Sequence, residues 1–183
     1  MQKATQMTAT KRLVLTAVNI ALCLVLPMAF HSIPNGGKIM LPMHIPVLLC
    51  GMVCGAPYGA VCGLLGPMLS SVLTGMPTAA LMPAMMVECA AYGLTTGLML
   101  RLVRTGKTYA DLYLSLAAAM LVGRLASGVT KALFFMAGQY TMQAWIAASF
   151  VTALPGIVLQ LAVVPSIAYY LMRAGLIPQR YPK

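Results

Sequence analysis

Three ionisable side chains stand inside long apolar runs of this sequence: Glu88, Arg124 and Lys131. An unpaired charge in hydrocarbon costs about 2.5–3.5 kcal/mol or more, so each must face protein, water or a ligand. Arg124 and Lys131 are seven residues apart, two helical turns, and so share one helix face, with Ser127 and Gly128 nearby. Glu88 is able to neutralise one of the two cations. One positive charge is still left over. A spare embedded cation facing a pocket suits a ligand that carries a carboxylate or a phosphate. His31 and His44 flank the first turn-rich loop, where they are either solvated or positioned to donate hydrogen bonds to such a ligand. Asn35, Gln139, Tyr140, Gln143 and Trp145 add a polar and aromatic rim in or beside loops.

Patterns for other chemistry are missing. There is no Walker phosphate loop, no HExxH, no GxSxG and no paired aspartates for metal-dependent phosphoryl transfer. With two acids in all, Glu88 and Asp111, acid–base catalysis within a membrane is poorly supplied. Cys23, Cys50, Cys54, Cys62 and Cys89 all lie in apolar runs. Cys50 and Cys54 are helical neighbours with only His44 close by, too few ligands for four-coordinate zinc. We read all five as small apolar residues at helix contacts, without a disulfide framework. Neither a metal nor a cofactor is expected.

The elements that hold these residues follow from composition. Of 183 residues, 61% are hydrophobic and 8% are charged, whereas soluble domains carry charge on roughly a quarter of their residues. A polytopic membrane protein is the natural reading. Twelve Lys and Arg against two acids give a net charge of +10, which in a soluble protein points to nucleic acid. Here the cations sit at the ends of apolar runs, where they act as topology signals, and no aromatic residues interleave with them. Nucleic-acid binding is not expected.

A spanning helix needs about 20 apolar residues. Runs over 13–30, 39–54, 58–73, 79–102, 112–138 and 144–171 supply six and leave only short loops. The first run exceeds a signal-peptide core and lacks a small-residue cleavage site, so it reads as a retained helix. Gly55-Ala-Pro57 either kinks one long helix or turns a hairpin, and proline's preference for a first turn suits a new helix near Pro57. Six spans place Lys3, Lys11, Arg12, Arg101, Arg104, Lys107, Arg173, Arg180 and Lys183 on one side and only Lys38 on the other. Five spans would split the basic residues. The positive-inside rule therefore selects six transmembrane helices with both termini cytoplasmic. The expectation is an all-α membrane protein, a single domain over residues 1–183, with Glu88, Arg124 and Lys131 lining one externally open pocket.

Glycines at 51, 55, 59 and 63 recur every fourth residue across the hairpin, a spacing that lets helix backbones approach closely in lipid. They are expected to pack the second and third helices together. Ala17-Val-Asn-Ile-Ala21 is a further small-residue pair on the first helix. Pro67, Pro83, Pro155 and Pro165 lie within runs, and such breaks are tolerated where protein or a water-filled cavity surrounds them. No inverted repeat of the kind common in secondary transporters is evident. A small six-helix protein that binds something and draws energy from elsewhere fits these features.

The strings Met43-His-Ile-Pro-Val-Leu-Leu-Cys-Gly51, Gly55-Ala-Pro-Tyr-Gly59, Gly63-Leu-Leu-Gly-Pro67, Leu73-Thr-Gly-Met-Pro77 and Glu88-Cys-Ala-Ala-Tyr-Gly93 resemble the substrate-binding S component of energy-coupling factor (ECF) vitamin transporters, in particular the pantothenate-type group. The resemblance covers nearly the whole chain. It implies a subunit of a prokaryotic plasma membrane that captures a vitamin at the external face, beneath the loop between helices one and two, with helices four to six supplying many contacts. It further implies a transmembrane T component and two cytoplasmic ATPase subunits as partners, with Ala17 and Ala21 matching the family's small-residue docking motif. The S component is then expected to topple in the membrane and deliver its ligand inward. Pantothenate is favoured because its carboxylate suits the surplus cation, with Glu88, Arg124, Lys131, His31, Asn35 and His44 as the expected substrate contacts. Such a subunit is not an enzyme and has no ATPase site of its own. Two alternatives compete: a self-sufficient secondary transporter or channel for a small organic anion, and an intramembrane lipid enzyme using Glu88 or His44.

Overall fold

The structure, a computed structural model, describes residues 7–30, 36–135, 141–179 and 181. Among these residues the secondary structure is entirely helical. Helix α1 (Ala9–Ala29) begins at Thr8, whose hydroxyl accepts the Lys11 N–H as an N-cap. It is followed by α2 (Gly36–Met40), α3 (His44–Cys54), α4 (Ala56–Thr74), α5 (Met82–Leu102) and α6 (Thr108–Thr130). Helix α6 runs on into a π-helical turn, Lys131–Phe135. Helix α7 (Met142–Ile146) continues into a second π-helical turn, Ala147–Val151, before α8 (Leu154–Arg173).

Among the described residues, four stretches are long and apolar enough to cross a membrane: Ala9–Ala29, Ala56–Thr74, Thr108–Leu133 and Leu154–Arg173. Of the two expected runs outside these four, the one over 79–102 forms α5 and the one over 39–54 is broken, as is the run over 144–171 ahead of Leu154. The run over 39–54 is split between α2 and α3 by a turn in which Leu41 takes a left-handed φ of 51°, a conformation uncommon for a residue with a side chain. The run over 144–171 breaks after Val151, and Pro155 sits in the first turn of α8. Pro83 likewise starts α5. These two prolines open helices rather than interrupt them, whereas Pro67 and Pro165 lie buried inside α4 and α8.

Gly55 resolves the hairpin question. Its φ of 99° ends α3 and its carbonyl starts α4 with Pro57 in the first turn, so the chain reverses there. The glycine stripe packs differently from expectation. A Cβ on Gly51 would strike Thr96 and Gly93, on Gly59 it would strike Gly93, and on Gly63 it would strike Cys89. All three of those partners belong to α5. Gly59 also lies against Gly51, so the α3–α4 contact exists, but the stripe mainly seats the hairpin on α5. Sequence spacing marks which residues allow close approach and is silent on which helix approaches.

Directions follow from these contacts. Gly59 meets Gly93 while Gly63 meets Cys89, so α4 and α5 are antiparallel. Thr16 lies by Cys50 while Cys23 lies by Met43, so α1 and α3 are too. Tyr109 at the start of α6 stacks on Tyr169 near the end of α8. The first turns of α3, α5 and α8 and the last turns of α6 thus share one end of the bundle. Arg101, Lys107 and Arg173 mark the other. All five cysteines are free and buried, and among the described residues no group of three or more His, Cys, Asp or Glu is placed to hold a metal ion.

Candidate functional site

Arg124 comes from the penultimate turn of α6 and is only 3% exposed. Its Nε and Nη2 have no hydrogen-bond partner in the protein. Two groups hold it in place. Its carbonyl accepts a hydrogen bond from the Trp145 indole N–H at 3.2 Å, and its guanidinium carbon lies 5.5 Å from the centroid of the Phe150 ring. Trp145 and Phe150 meet edge to face at 5.5 Å, and Trp145 seats itself against Gly128, where any side chain would collide with the indole. Trp145 thus holds the Arg124 backbone and the Phe150 ring lies against the guanidinium, while Nε and Nη2 stay unpartnered.

His44, the first residue of α3, is 2% exposed, and neither of its ring nitrogens has a partner. Burial excludes the solvated reading of this histidine. Its ring stands edge-on to Tyr92 at 5.0 Å and 83°. Tyr92 in turn donates its hydroxyl proton to Glu88 Oε1 at 2.9 Å, one helical turn away on α5. Gly123 on α6 leaves the room that the Tyr92 ring occupies. Among the described residues no ion pair joins Glu88 to Arg124 or Lys131. Glu88, Arg124 and Lys131 all lie within electrostatic reach of His44, so these four sequence candidates form one cluster, with Lys131 half-buried where α6 gives way to its π-helical turn. Such turns occur often at functional sites.

Two further residues border the cluster and were passed over in the sequence: Tyr92, through Glu88 and His44, and Gln160, through the Leu41 carbonyl that also accepts the His44 backbone N–H. Tyr92 is four residues beyond Glu88, a spacing that could have revealed it. Gln160 carries the only amide side chain in α8 and is fully buried. Its amide donates to the Leu41 carbonyl at 3.5 Å while its Oε1 has no partner. Ser127 Oγ, also buried, is unpartnered as well. An unsatisfied buried polar group costs about 1–3 kcal/mol, and here several gather in one place. Together they offer a cationic fork, an imidazole, a hydroxyl and an amide oxygen acceptor. That set can hold a small molecule with an acidic group at one point and hydrogen-bond donors at another.

A different cavity of about 300 Å³ lies at the opposite end, with Met52, Leu100, Arg104, Met172 and Ile177 among its walls. None of the unpartnered buried groups borders it, so the polar cluster is the candidate site. His31 and Asn35 lie outside the described residues. Ala17 and Ala21 are exposed on α1, beside exposed Val14, Val18 and Val25, while Thr16, Asn19 and Cys23 turn inward. They belong to a separate surface.

No curated protein and no solved structure matches the chain. A sequence model of one family, described as ECF transporter, substrate-specific component, matches residues 11–168. That span reaches from α1 well into α8 and contains every residue of the buried cluster, and the chain belongs to this family of ECF transporter substrate-specific components.

Proposed function

We propose that this protein binds a small acidic micronutrient, with pantothenate favoured, at the buried cluster and hands it inward as part of an ECF-type importer. Membership in the family already makes it a membrane transport subunit rather than an enzyme, with a small-molecule substrate and with T and ATPase components as partners. The single observation that carries the choice of ligand is Arg124: a guanidinium 3% exposed, with two of its nitrogens unpartnered. A carboxylate accepting from that fork satisfies both donors and neutralises a charge that is costly where it stands. Pantothenate also carries hydroxyls and an amide N–H. These suit the free oxygen of Gln160 and the free nitrogens of His44.

In this reading the chain spans a prokaryotic plasma membrane six times with both termini cytoplasmic. The cluster faces the external side because it lies at the end of the bundle away from Arg101, Lys107 and Arg173. His31 and Asn35 belong to the loop that covers the ligand, and the exposed Ala17–Ala21 face of α1 docks on the T component. Equilibrium binding to the purified chain tests the ligand. Pantothenate is expected to bind at submicromolar concentration without nucleotide, and R124A to weaken binding by tenfold or more. Binding that R124A leaves unaltered, or flux driven by an ion gradient through this chain alone, would overturn the reading.

A further inference from the structure

At the basic end of the bundle two helices each present a pair of tyrosines on one face. Tyr109 and Tyr113 are four residues apart in the first turns of α6, and Tyr169 and Tyr170 lie in the last turns of α8. The Tyr109 and Tyr169 rings stack at 4.4 Å with an interplanar angle of 26°, and Tyr170 meets Tyr169 edge to face at 5.9 Å. Arg173 follows Tyr169 by four residues and Tyr170 by three, so it projects from the same face one turn further out. Tyr109 lies within electrostatic reach of Tyr113, Tyr169, Tyr170 and Arg173. The five side chains form one patch.

Two features set the patch apart from an ordinary interfacial belt. Tyrosines that merely anchor a bundle are spread around it and populate both interfaces. Here four of the chain's eight tyrosines crowd onto one seam between two helices. The patch is also open: Tyr109 and Tyr113 are exposed, Tyr170 is 65% exposed, and Arg173 is exposed. Charge then selects the occupant. Asp111, the acid nearest in sequence, is fully buried and turned inward, where it accepts from the Thr105 N–H, the Thr105 hydroxyl and the Tyr181 hydroxyl. Glu88 sits toward the far end of α5. Nothing on the patch repels an anion, while a quaternary ammonium seeking the aromatic faces would meet Arg173.

We propose that the α6–α8 seam formed by Tyr109, Tyr113, Tyr169, Tyr170 and Arg173 is a binding site for the headgroup of an anionic phospholipid. The phosphate sits against the Arg173 guanidinium and takes hydrogen bonds from tyrosine hydroxyls, while the acyl chains run along the apolar faces of α6 and α8. A basic group near an anionic leaflet is attracted to it, and a fixed aromatic platform adds direction to that attraction. The site is independent of the vitamin site, which lies at the other end of the bundle.

Native mass spectrometry of the full chain, titrated in detergent with phosphatidylglycerol or phosphatidylcholine, tests this. The first phosphatidylglycerol is expected to be retained at least fivefold more tightly than phosphatidylcholine. R173Q and Y109L/Y170L should each abolish that preference, whereas R101Q, an exposed arginine at the same end but outside the patch, should keep it. Y170L alone decides the tyrosine contribution if the double variant does not fold. The proposal is overturned if R173Q retains the wild-type preference, if R101Q weakens it as much as R173Q, if the two lipids are held equally, or if millimolar inorganic phosphate displaces the lipid.

Discussion

Arg124 can be told apart from a structural arginine by what its removal does in the absence of ligand. A structural arginine is held by partners, and deleting it leaves those partners unsatisfied. Arg124 instead brings two unpartnered nitrogens of its own into the interior. We therefore expect R124Q to melt at or above the wild-type temperature when no ligand is bound, because a buried uncompensated charge is gone. The same variant should bind pantothenate about 10–100-fold more weakly, the cost of losing a charge-assisted hydrogen bond worth roughly 1.5–3 kcal/mol. R124K, which keeps the charge and loses the planar fork, should recover only part of that loss. A lower melting temperature together with undiminished affinity would assign Arg124 to the core. The cluster was partly legible in the sequence. Charged residues inside apolar runs announce themselves because lipid tolerates them so poorly, and Glu88, Arg124 and Lys131 stood out on that ground. Gln160 did not, since one uncharged amide in an apolar helix is inexpensive enough to pass unnoticed, and Tyr92 looks like any buried aromatic.

Among the elements, α5 is the one against which the others are seated. Its Gly93 meets the Gly59 backbone, and its Gly97 meets Ala56 at the start of α4. Backbones in such contact cannot yield to an added methyl group. G93A is expected to destabilise the bundle by about 1–3 kcal/mol, read as a lower melting temperature, whereas G37A, where a Cβ meets nothing within 4 Å, should be neutral. The small residues of α1 are turned the other way. Ala17 and Ala21 face outward, so the double change A17L/A21L should leave ligand affinity nearly unchanged and block assembly with the T and ATPase components, measured by co-purification. Equal loss of ligand binding would place the pair in the site or the core. Hydropathy located the long helices because burying about 20 apolar residues requires a run of that length. It did not foresee the break at Leu41, since leucine gives no warning of a left-handed conformation. Nor did it foresee the π-helical turns after Thr130 and Ile146, which have no compositional mark.

For the molecule as a whole, charge and thiols make the orientation testable. The exposed cations Arg101, Lys107 and Arg173 share the end opposite the buried cluster, and all five native cysteines are buried, so a cysteine introduced on an exposed turn reports alone. In intact cells a membrane-impermeant maleimide should label T78C, in the α4–α5 turn, and should reach K107C, in the α5–α6 turn, only after permeabilisation. The opposite pattern would invert the bundle and put the cluster on the cytoplasmic side. Trp145 adds a last consequence. It is the chain's only tryptophan, and its indole is bonded to the backbone of the residue we expect to grip the ligand. Any molecule that shifts Arg124 must alter the surroundings of that one fluorophore, so the protein carries its own optical gauge, and occupancy can be followed from intrinsic emission without a dye or label.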